Sequence, residues 1–206
     1  MINFRQYPAM TKATIPNNIH LSNGDFSNSF YNMRNLVESN FNHSDVTSMY
    51  STYYNCYKLT GSPVCGEKVT NMAYAYYNCY NLTGSPVCGN NVTRMDYAYS
   101  NCYNLTGSPV CGNNVTKMNY AYQNCKNLTG SMYCYSPNIT SFRNCFGAKN
   151  NSSRINVYVP AGSTTNASAA INNTYSIVGA TITWSSNDSN SCYYNTAYNI
   201  YIYYTL

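Results

Sequence analysis

The amino-acid sequence predicts an α/β solenoid, in which units of 23 residues stack on one another and end in a small β-rich C-terminal cap. Three observations lead to this fold class: a 23-residue period of apolar residues, two alternating spacings within each unit, and loss of the period after Cys145. The predicted organisation is an extended N-terminal arm over residues 1–18, a solenoid over 19–145, and a β-rich cap or attachment domain over 146–206.

The repeat is visible in four consecutive segments. Residues 46–68 read VTSMYSTYYNCYKLTGSPVCGEK, residues 69–91 read VTNMAYAYYNCYNLTGSPVCGNN, and residues 92–114 read VTRMDYAYSNCYNLTGSPVCGNN. The fourth segment, residues 115–137, is more degenerate. A unit of this size cannot bury its own apolar face, so the units must stack with equivalent apolar residues over one another. The equivalent leucines, 23 residues apart, are Leu36, Leu59, Leu82, Leu105 and Leu128.

Each unit has two halves with different spacing. In the first half, apolar residues recur every three or four positions, which predicts one face of a helix-like turn; in one unit they are Val92, Met95, Ala98, Tyr99, Cys102 and Leu105. The second half reads as a short extended stretch that ends in a Gly-Asn-Asn turn. Proline has no N–H to donate to a sheet, so we predict ladders only about two or three residues wide there; the prolines are Pro63, Pro86 and Pro109.

Beyond residue 145 the sequence predicts strands over Ile155–Val159, Ile177–Trp184 and Tyr198–Tyr204. The last run alternates and carries no charge, so as an exposed edge it would pair with another chain. It is our candidate assembly edge, with an ordinary paired strand as the alternative; its residues are Ile200, Tyr201, Ile202, Tyr203 and Tyr204. The arm, with Pro8 and Pro16, either wraps a neighbouring subunit or is a disordered terminus.

Composition excludes several functions. Only 8% of residues are charged, 25 are tyrosines, and the net charge of +5 is scattered without a basic run. Nucleic-acid binding needs clustered cations, so none is expected. No apolar stretch approaches the ~18 residues of a membrane span, so no membrane insertion is expected. The first eight residues contain no apolar core of a signal peptide, and none is expected.

The repeat resembles a known family. Val69-Thr70-Asn71-Met72, then Ala75 to Cys79, then Asn81-Leu82-Thr83 are similar to the BspA-like leucine-rich repeats of bacterial surface proteins, with Tyr76 in place of the usual Phe. The resemblance spans about residues 24–145, and the segment 155–163 is similar to the part that follows such arrays.

The resemblance implies a curved leucine-rich-repeat solenoid, surface exposure, and a role in adhesion or recognition without cofactor or catalytic residues. One departure concerns the strand, because Ser85 and Pro86 stand where the family carries apolar residues. Similar repeats also occur in phage tail and fibre proteins. We therefore expect a virion structural protein (tail, fibre or decoration) that mediates assembly or host-surface binding, with a bacterial cell-surface adhesin as the alternative.

The ten cysteines allow three interpretations. Stacked rungs lie ~4.8 Å apart, within disulfide range, but equivalent side chains point the same way. No Cys-x-x-Cys spacing supports zinc, so no metal is expected. Buried thiols acting as small hydrophobes are favoured, with Cys192 the least certain. The asparagine before five of these ten cysteines either satisfies backbone groups at its turn or forms a recognition ladder.

The sequence contains few histidine and acidic residues, the types that usually act in general acid–base catalysis. The histidines are His20 and His43, and the six acidic residues are dispersed, so neither an enzyme nor a cofactor is expected. Positions that vary between units should face outward, since a close-packed core would not tolerate the changes. The candidate interaction surface, for other virion proteins or a host surface protein or glycan, with a homo-oligomer also possible, is Tyr54, Tyr57, Tyr77, Tyr80, Arg94, Tyr103, Lys117, Gln123 and Lys126.

Overall fold

The computed structural model describes residues 3–16, 21, 23–40, 44–134, 136 and 138–146, and the backbone of 155–159, 191–195 and 200–204. The predicted strand Ile177–Trp184, the two histidines and the side chain of Cys192 lie outside these residues. Within the described part of the chain, no helix is long and apolar enough to span a membrane.

The described rungs stack through parallel contacts between equivalent residues. Single-residue β-bridges join Asp25 to Ser48, and then continue through positions 71, 94, 117 and 141. The N–H groups of alternate residues donate to carbonyls of the next rung: Met72 to Arg94 O at 2.9 Å, and Tyr76 to Ala98 O at 2.8 Å. These bonds make the array a solenoid.

The first half of each unit is a chain of turns, so the predicted helix-like segment is wrong. The residues that alternate with these inter-rung donors form hydrogen bonds within their own rung. Their N–H groups donate to the carbonyl three positions earlier; Ala75 N–H, for example, donates to Met72 O at 3.0 Å. Tyr74 and Asn78 lie at φ 58° and 60°, a left-handed conformation that interrupts a helix. An apolar residue every third or fourth position suits this path as well as a helix, which is why periodicity misassigned it.

The described residues include six short strands. β1 (Lys12–Ala13) runs parallel to β2 (Glu38–Ser39). A four-stranded sheet has the order β3 (Gly130–Tyr133), β4 (Ile155–Val159), β6 (Ile200–Tyr204) and β5 (Ser191–Asn195). β4 is parallel to β3 and β6, while β5 is antiparallel to β6. The strands predicted near 155 and 200 are therefore present.

The predicted assembly edge is wrong. β6 has a hydrogen-bonded neighbour on each side, β4 and β5, so its backbone groups pair inside the sheet. Its alternating, uncharged sequence is explained by this interior position. The residues concerned are Ile200, Tyr201, Ile202, Tyr203 and Tyr204.

Proline shapes the opposite side of the solenoid. The extended stretches that contain the buried Pro63, Pro86 and Pro109 form no strand, whereas Met132, at the equivalent position, lies in β3. A tyrosine hydroxyl takes the place of the missing ladder. The Tyr99 hydroxyl donates to Val87 O at 2.7 Å and accepts the Val87 N–H at 3.2 Å, and Tyr76 and Tyr122 repeat the arrangement with Val64 and Val110.

Tight packing also accounts for the invariance of the Thr-Gly-Ser-Pro edge. Gly84 lies at φ 78°, and a Cβ atom built there would overlap the Ser62 side chain of the preceding rung. Only glycine combines that backbone conformation with the close approach.

The core consists of columns of identical side chains. Leucine, methionine, valine and cysteine columns are buried, beside a ring column with centroids 5.2–5.9 Å apart. That column runs through Phe30, Tyr53, Tyr76, Tyr99, Tyr122 and Phe146. Like residues stack directly, so each column continues from rung to rung.

The buried cysteines are hydrogen-bond donors as well as core residues. Cys79 Sγ donates to Tyr53 O and Cys102 Sγ to Tyr76 O, both at 3.1 Å. All nine described cysteines are free thiols. Burial raises the pKa of Cys79 and Cys102 well above the ordinary thiol value, so both stay protonated.

Residues 3–16 pack on the first rung and do not project as the predicted arm would. The Phe4 ring stacks on Phe30 at 4.8 Å, and the Phe4 N–H donates to Ser29 O at 2.9 Å. Ala13 and Ile15 are buried in the same core. This segment covers apolar side chains that an end rung would otherwise expose.

Candidate interaction surface

The outer side of the turn segments carries three rows of stacked tyrosines, which we call the tyrosine face. In each row the ring centroids are 4.6–5.1 Å apart and the planes within 16° of parallel. Row one is Tyr31, Tyr54 and Tyr77; row two is Tyr74, Tyr97 and Tyr120; row three is Tyr57, Tyr80 and Tyr103. Row two interlocks with row one, for example through the edge-to-face pair Tyr74–Tyr77.

Cations cover ring faces at the ends of the rows. Arg5 lies over Tyr31 at 4.4 Å from the centroid, and Arg143 lies over Tyr120 at 5.9 Å. Row three has a cation at both ends, Arg34 over Tyr57 and Lys126 over Tyr103, each at 5.4 Å. Stacking and these cation–π contacts cover the flat faces, so the rows present ring edges and hydroxyls to solvent.

At least one phenol in each row has a raised pKa. Burial, and then the neighbouring phenols, raise the pKa of Tyr54, Tyr80 and Tyr97 above the ordinary value. Because the neutral form is favoured, each hydroxyl can both donate and accept a hydrogen bond at physiological pH.

Charge is distributed unequally around the described rungs. The turn side, which is the part equivalent to residues 71–81 together with Arg5, holds two carboxylates, Asp25 and Asp96, against seven cations. The cations are Arg5, Arg34, Lys58, Arg94, Lys117, Lys126 and Arg143. The remaining side holds two cations, Lys12 and Lys68, against three carboxylates, Glu38, Asp45 and Glu67. The excess positive charge of the described residues therefore lies on the side of the tyrosine face.

A cleft opens where row two stops. The positions equivalent to Tyr74 in the two preceding rungs are the smaller Ser51 and Asn28, which share its positive φ. The cleft has a volume of about 560 Å³, within the ~300–1,000 Å³ usual for ligand sites. Its lining is Arg5, Asn28, Tyr31, Tyr50, Ser51, Tyr54 and Tyr74.

The repeat can now be compared with known proteins. A family model described as the BspA type leucine-rich repeat region matches six copies, over residues 3–129 and 73–200. The chain belongs to the BspA-type leucine-rich-repeat family. Members are typically surface-associated recognition modules that mediate protein–protein interaction and are not enzymes. No curated protein and no solved structure matches the chain.

Most of the predicted surface residues of this BspA-type array lie on the tyrosine face. Tyr54 and Tyr77 belong to row one, three more tyrosines form row three, and Lys126 caps it. Arg94 lies near the face and pairs with Asp96 at 3.2 Å. Lys117 is exposed beside them, and the Gln123 side chain accepts a hydrogen bond from Ser100 at 3.3 Å. Ser100 stands at the position equivalent to Tyr54, Tyr77 and Gln123, which we expected to face outward because it varies between units, but Ser100 is fully buried.

Sequence reasoning missed row two and the cleft. The position of Tyr74, Tyr97 and Tyr120 varies in the same way as that of row three, since the preceding unit carries Ser51 there, but the variable positions chosen from the sequence did not include it. An alternating pattern could not have found row two, because Tyr74 and Tyr76 are two positions apart and would share one face of a strand, whereas Tyr76 is buried and Tyr74 is only half-buried.

The repeated asparagines of the BspA-type units form a ladder of amides. Asn78 Nδ2 donates to Asn55 Oδ1, and Asn101 Nδ2 donates to Asn78 Oδ1, both at 2.7 Å. Each sits at positive φ, which asparagine tolerates better than most residues. The prediction that each amide satisfies backbone groups at its own turn is wrong, because the amides bond to the equivalent asparagines of adjacent rungs.

Among the described residues, no group of three or more histidine, cysteine or acidic side chains is placed to hold a metal ion. The buried carboxylate of Asp96 bonds to Arg94 and to both the N–H and the amide of Asn119. These contacts give Asp96 a structural role.

Proposed function

We propose that this chain is a non-enzymatic recognition module that holds its partner through the tyrosine face. The observation that carries the proposal is the set of three stacked rows, which present aligned hydroxyls and ring edges over consecutive rungs. Tyrosine is enriched at protein interfaces because it combines an apolar ring with a polar tip. Rings already held by stacking lose little conformational freedom on binding, which favours affinity.

The proposal takes 23 residues as the structural unit. Its support is the spacing of the contacts: β-bridges and side-chain amide bonds join residues 23 positions apart over most of the array. A unit of constant length keeps each tyrosine over its counterpart, and the rows depend on this.

For the location we propose a virion, as a tail, fibre or decoration protein, with a bacterial cell surface as the alternative. The support is the similarity of these repeats to those of phage tail and fibre proteins. Mass spectrometry of purified particles should detect the chain. Its presence only on the surface of labelled intact cells would instead identify an adhesin.

The proposed use of the tyrosine face can be tested by binding labelled protein to a panel of intact bacterial cells. Serine stands at position 100, where row one would otherwise continue, so the double variant Tyr54→Ser, Tyr77→Ser copies a change that the array already contains. We expect at least a roughly tenfold loss of binding, as for interface tyrosines that act as hot spots.

The matched control for this test is Tyr133→Ser, which removes a tyrosine that is 50% exposed on the opposite side of the solenoid. It should bind as the unmodified chain does, and near-UV circular dichroism should show both proteins folded. Equal binding by the double variant and the unmodified chain would contradict the proposed function.

A further inference from the structure

The cleft beside row two is built from a local change in the repeat. Residues 50–52 read Tyr-Ser-Thr, where the next rung reads Ala-Tyr-Ala over residues 73–75. As a result Tyr50 packs edge-on against Tyr74 at 6.0 Å, and no ring extends row two over Ser51. The opening is therefore specific to the first rungs, and the later ones fill the equivalent space with Tyr97 and Tyr120.

The wall of the cleft includes a cation held in a fixed orientation. Arg5 is exposed, its guanidinium lies 4.4 Å from the centre of the Tyr31 ring, and no carboxylate of the described residues forms an ion pair with it. A guanidinium lying over a ring keeps its N–H donors directed outward in its own plane. Such a fork suits bidentate binding of a carboxylate or a sulfate.

The rest of the lining offers hydrogen bonds and little open apolar area. It comprises four tyrosines, Tyr31, Tyr50, Tyr54 and Tyr74, with Ser51 and Asn28, and each of these side chains carries a hydroxyl or an amide. The Tyr54 ring is covered on both faces by Tyr31 and Tyr77, at 4.7 and 4.8 Å. This lining suits a hydroxyl-rich ligand better than an apolar one.

We propose that the cleft binds the anionic group of an acidic polysaccharide, with Arg5 holding the carboxylate or sulfate and the row hydroxyls holding the sugar hydroxyls. The inference rests on the proposed function and names the ligand class of the same face. The excess of cations on the turn side favours an anionic ligand over a neutral one there, while the specific contact is made at Arg5. An extended peptide is a poorer match, because its side chains on one face recur every ~6.8 Å, out of step with the rings within a row, which are 4.6–5.1 Å apart.

The test measures binding of the full chain to four immobilised probes: a sulfated oligosaccharide of the heparin type, polygalacturonate, neutral dextran and poly-glutamate. We expect binding to one or both acidic polysaccharides that weakens with added salt. Sulfate and carboxylate as the recognised group are distinguished by which of the two probes binds more tightly. Dextran binding as tight as theirs, or poly-glutamate binding tighter than theirs, would overturn the proposal.

Two variants locate the site. Arg5→Gln should weaken polysaccharide binding at least tenfold, while Arg34→Gln, which removes a similar cation from the face of Tyr57 in row three, should change it less than twofold. The double variant Tyr50→Ala, Ser51→Tyr copies the next rung, fills the cleft and should also weaken binding at least tenfold. Equal losses for Arg5→Gln and Arg34→Gln would mean diffuse attraction to the charged side and would refute the cleft.

The inference and the proposed function fail differently. If cells still bind through Tyr54 and Tyr77 while neither acidic polysaccharide binds, the inference is wrong and the proposed function stands. If the row-one double variant binds cells as the unmodified chain does, the proposed function is wrong, and the inference falls with it.

Discussion

At the scale of single residues, the tyrosines of this chain have two different roles, one in the core and one on the surface, and the sequence does not show which tyrosine has which role. Tyr99 and Tyr103 belong to the same unit, yet Tyr99 is fully buried and Tyr103 is 37% exposed. The buried phenol reaches across the core to a backbone twelve residues earlier. No local sequence pattern announces that contact, because it depends on how the two halves of adjoining units face each other.

Removing one buried hydroxyl should be costly. In Tyr99→Phe, the N–H and the carbonyl of Val87 both lose their partner in a water-poor site. We expect the free energy of unfolding to fall by about 1–3 kcal/mol, measured by urea denaturation. Tyr103→Phe removes an exposed hydroxyl and should change it by less than ~0.5 kcal/mol. Equal effects of the two substitutions on the free energy of unfolding would mean that the two hydrogen bonds between the Tyr99 hydroxyl and the Val87 backbone are absent.

At the scale of elements, the sequence predicted which residues form the core better than it predicted the backbone path. The leucine and methionine columns and the cysteine column through Cys79 and Cys102 follow from the period alone and are buried, whereas Cys65 and Cys88 of the second cysteine column are only half-buried. The turns replaced the expected helix because the amides of alternate residues bond to the next rung, which requires left-handed residues such as Asn78. Asparagine at that position was visible in the sequence, but a helix cap or a turn explains asparagine equally well.

At Asn78, which has a left-handed backbone conformation, we expect glycine to be less destabilising than alanine, the reverse of the usual order. At most sites glycine destabilises more than alanine. At Asn78, where φ is 60°, substitution by glycine or by alanine removes the hydrogen bonds of the amide ladder. Alanine also destabilises the fold by about 1–2 kcal/mol, because its side chain disfavours the left-handed conformation. Asn78→Ala should therefore be less stable than Asn78→Gly by about 1 kcal/mol in thermal unfolding.

Asn81 provides the control for that comparison. It is exposed and is not among the residues at positive φ, so the order there should be the ordinary one, with Asn81→Ala the more stable. Finding the ordinary order at Asn78 as well would contradict the turn conformation assigned to it.

At the scale of the whole molecule, the stacking predicts how stability depends on pH. Burial raises the pKa of many thiols and phenols well above their ordinary values of 9.0 and 10.0. Below pH 9.0 these thiols and phenols are protonated in both the folded and the unfolded chain, so they do not lower the free energy of unfolding. Above it the unfolded chain loses protons that the folded chain retains, so the free energy of unfolding falls, by up to ~1.4 kcal/mol per pH unit for each group.

Urea denaturation between about pH 7 and pH 11 checks this dependence. Cys102→Ala should show a shallower decline above pH 9.0 than the unmodified chain, because one raised thiol pKa is removed. A stability that stays constant or rises over this range would show that the columns of thiols and phenols are not buried.

The distribution of charge was visible only at this scale too. The cations are scattered along the sequence, which excluded a basic run, but the repeat brings seven of them to one side. Their positions in the unit could have been tabulated from the sequence. Their relation to the tyrosine rows could not, because it depends on Arg5 and Arg143 folding over rings of other rungs.

The claim on which the rows, the columns and the cleft all depend is that rungs stack in register every 23 residues. Deleting residues 69–91 removes one rung and joins Lys68 to Val92, a junction equivalent to Asn91–Val92. This deletion should leave cooperative unfolding and the near-UV circular dichroism of stacked tyrosines, with a lower unfolding enthalpy from the lost rung. Deleting residues 69–80, about half a unit, should abolish both signals, and a half-unit deletion that folds as well as the whole-unit deletion would contradict the account.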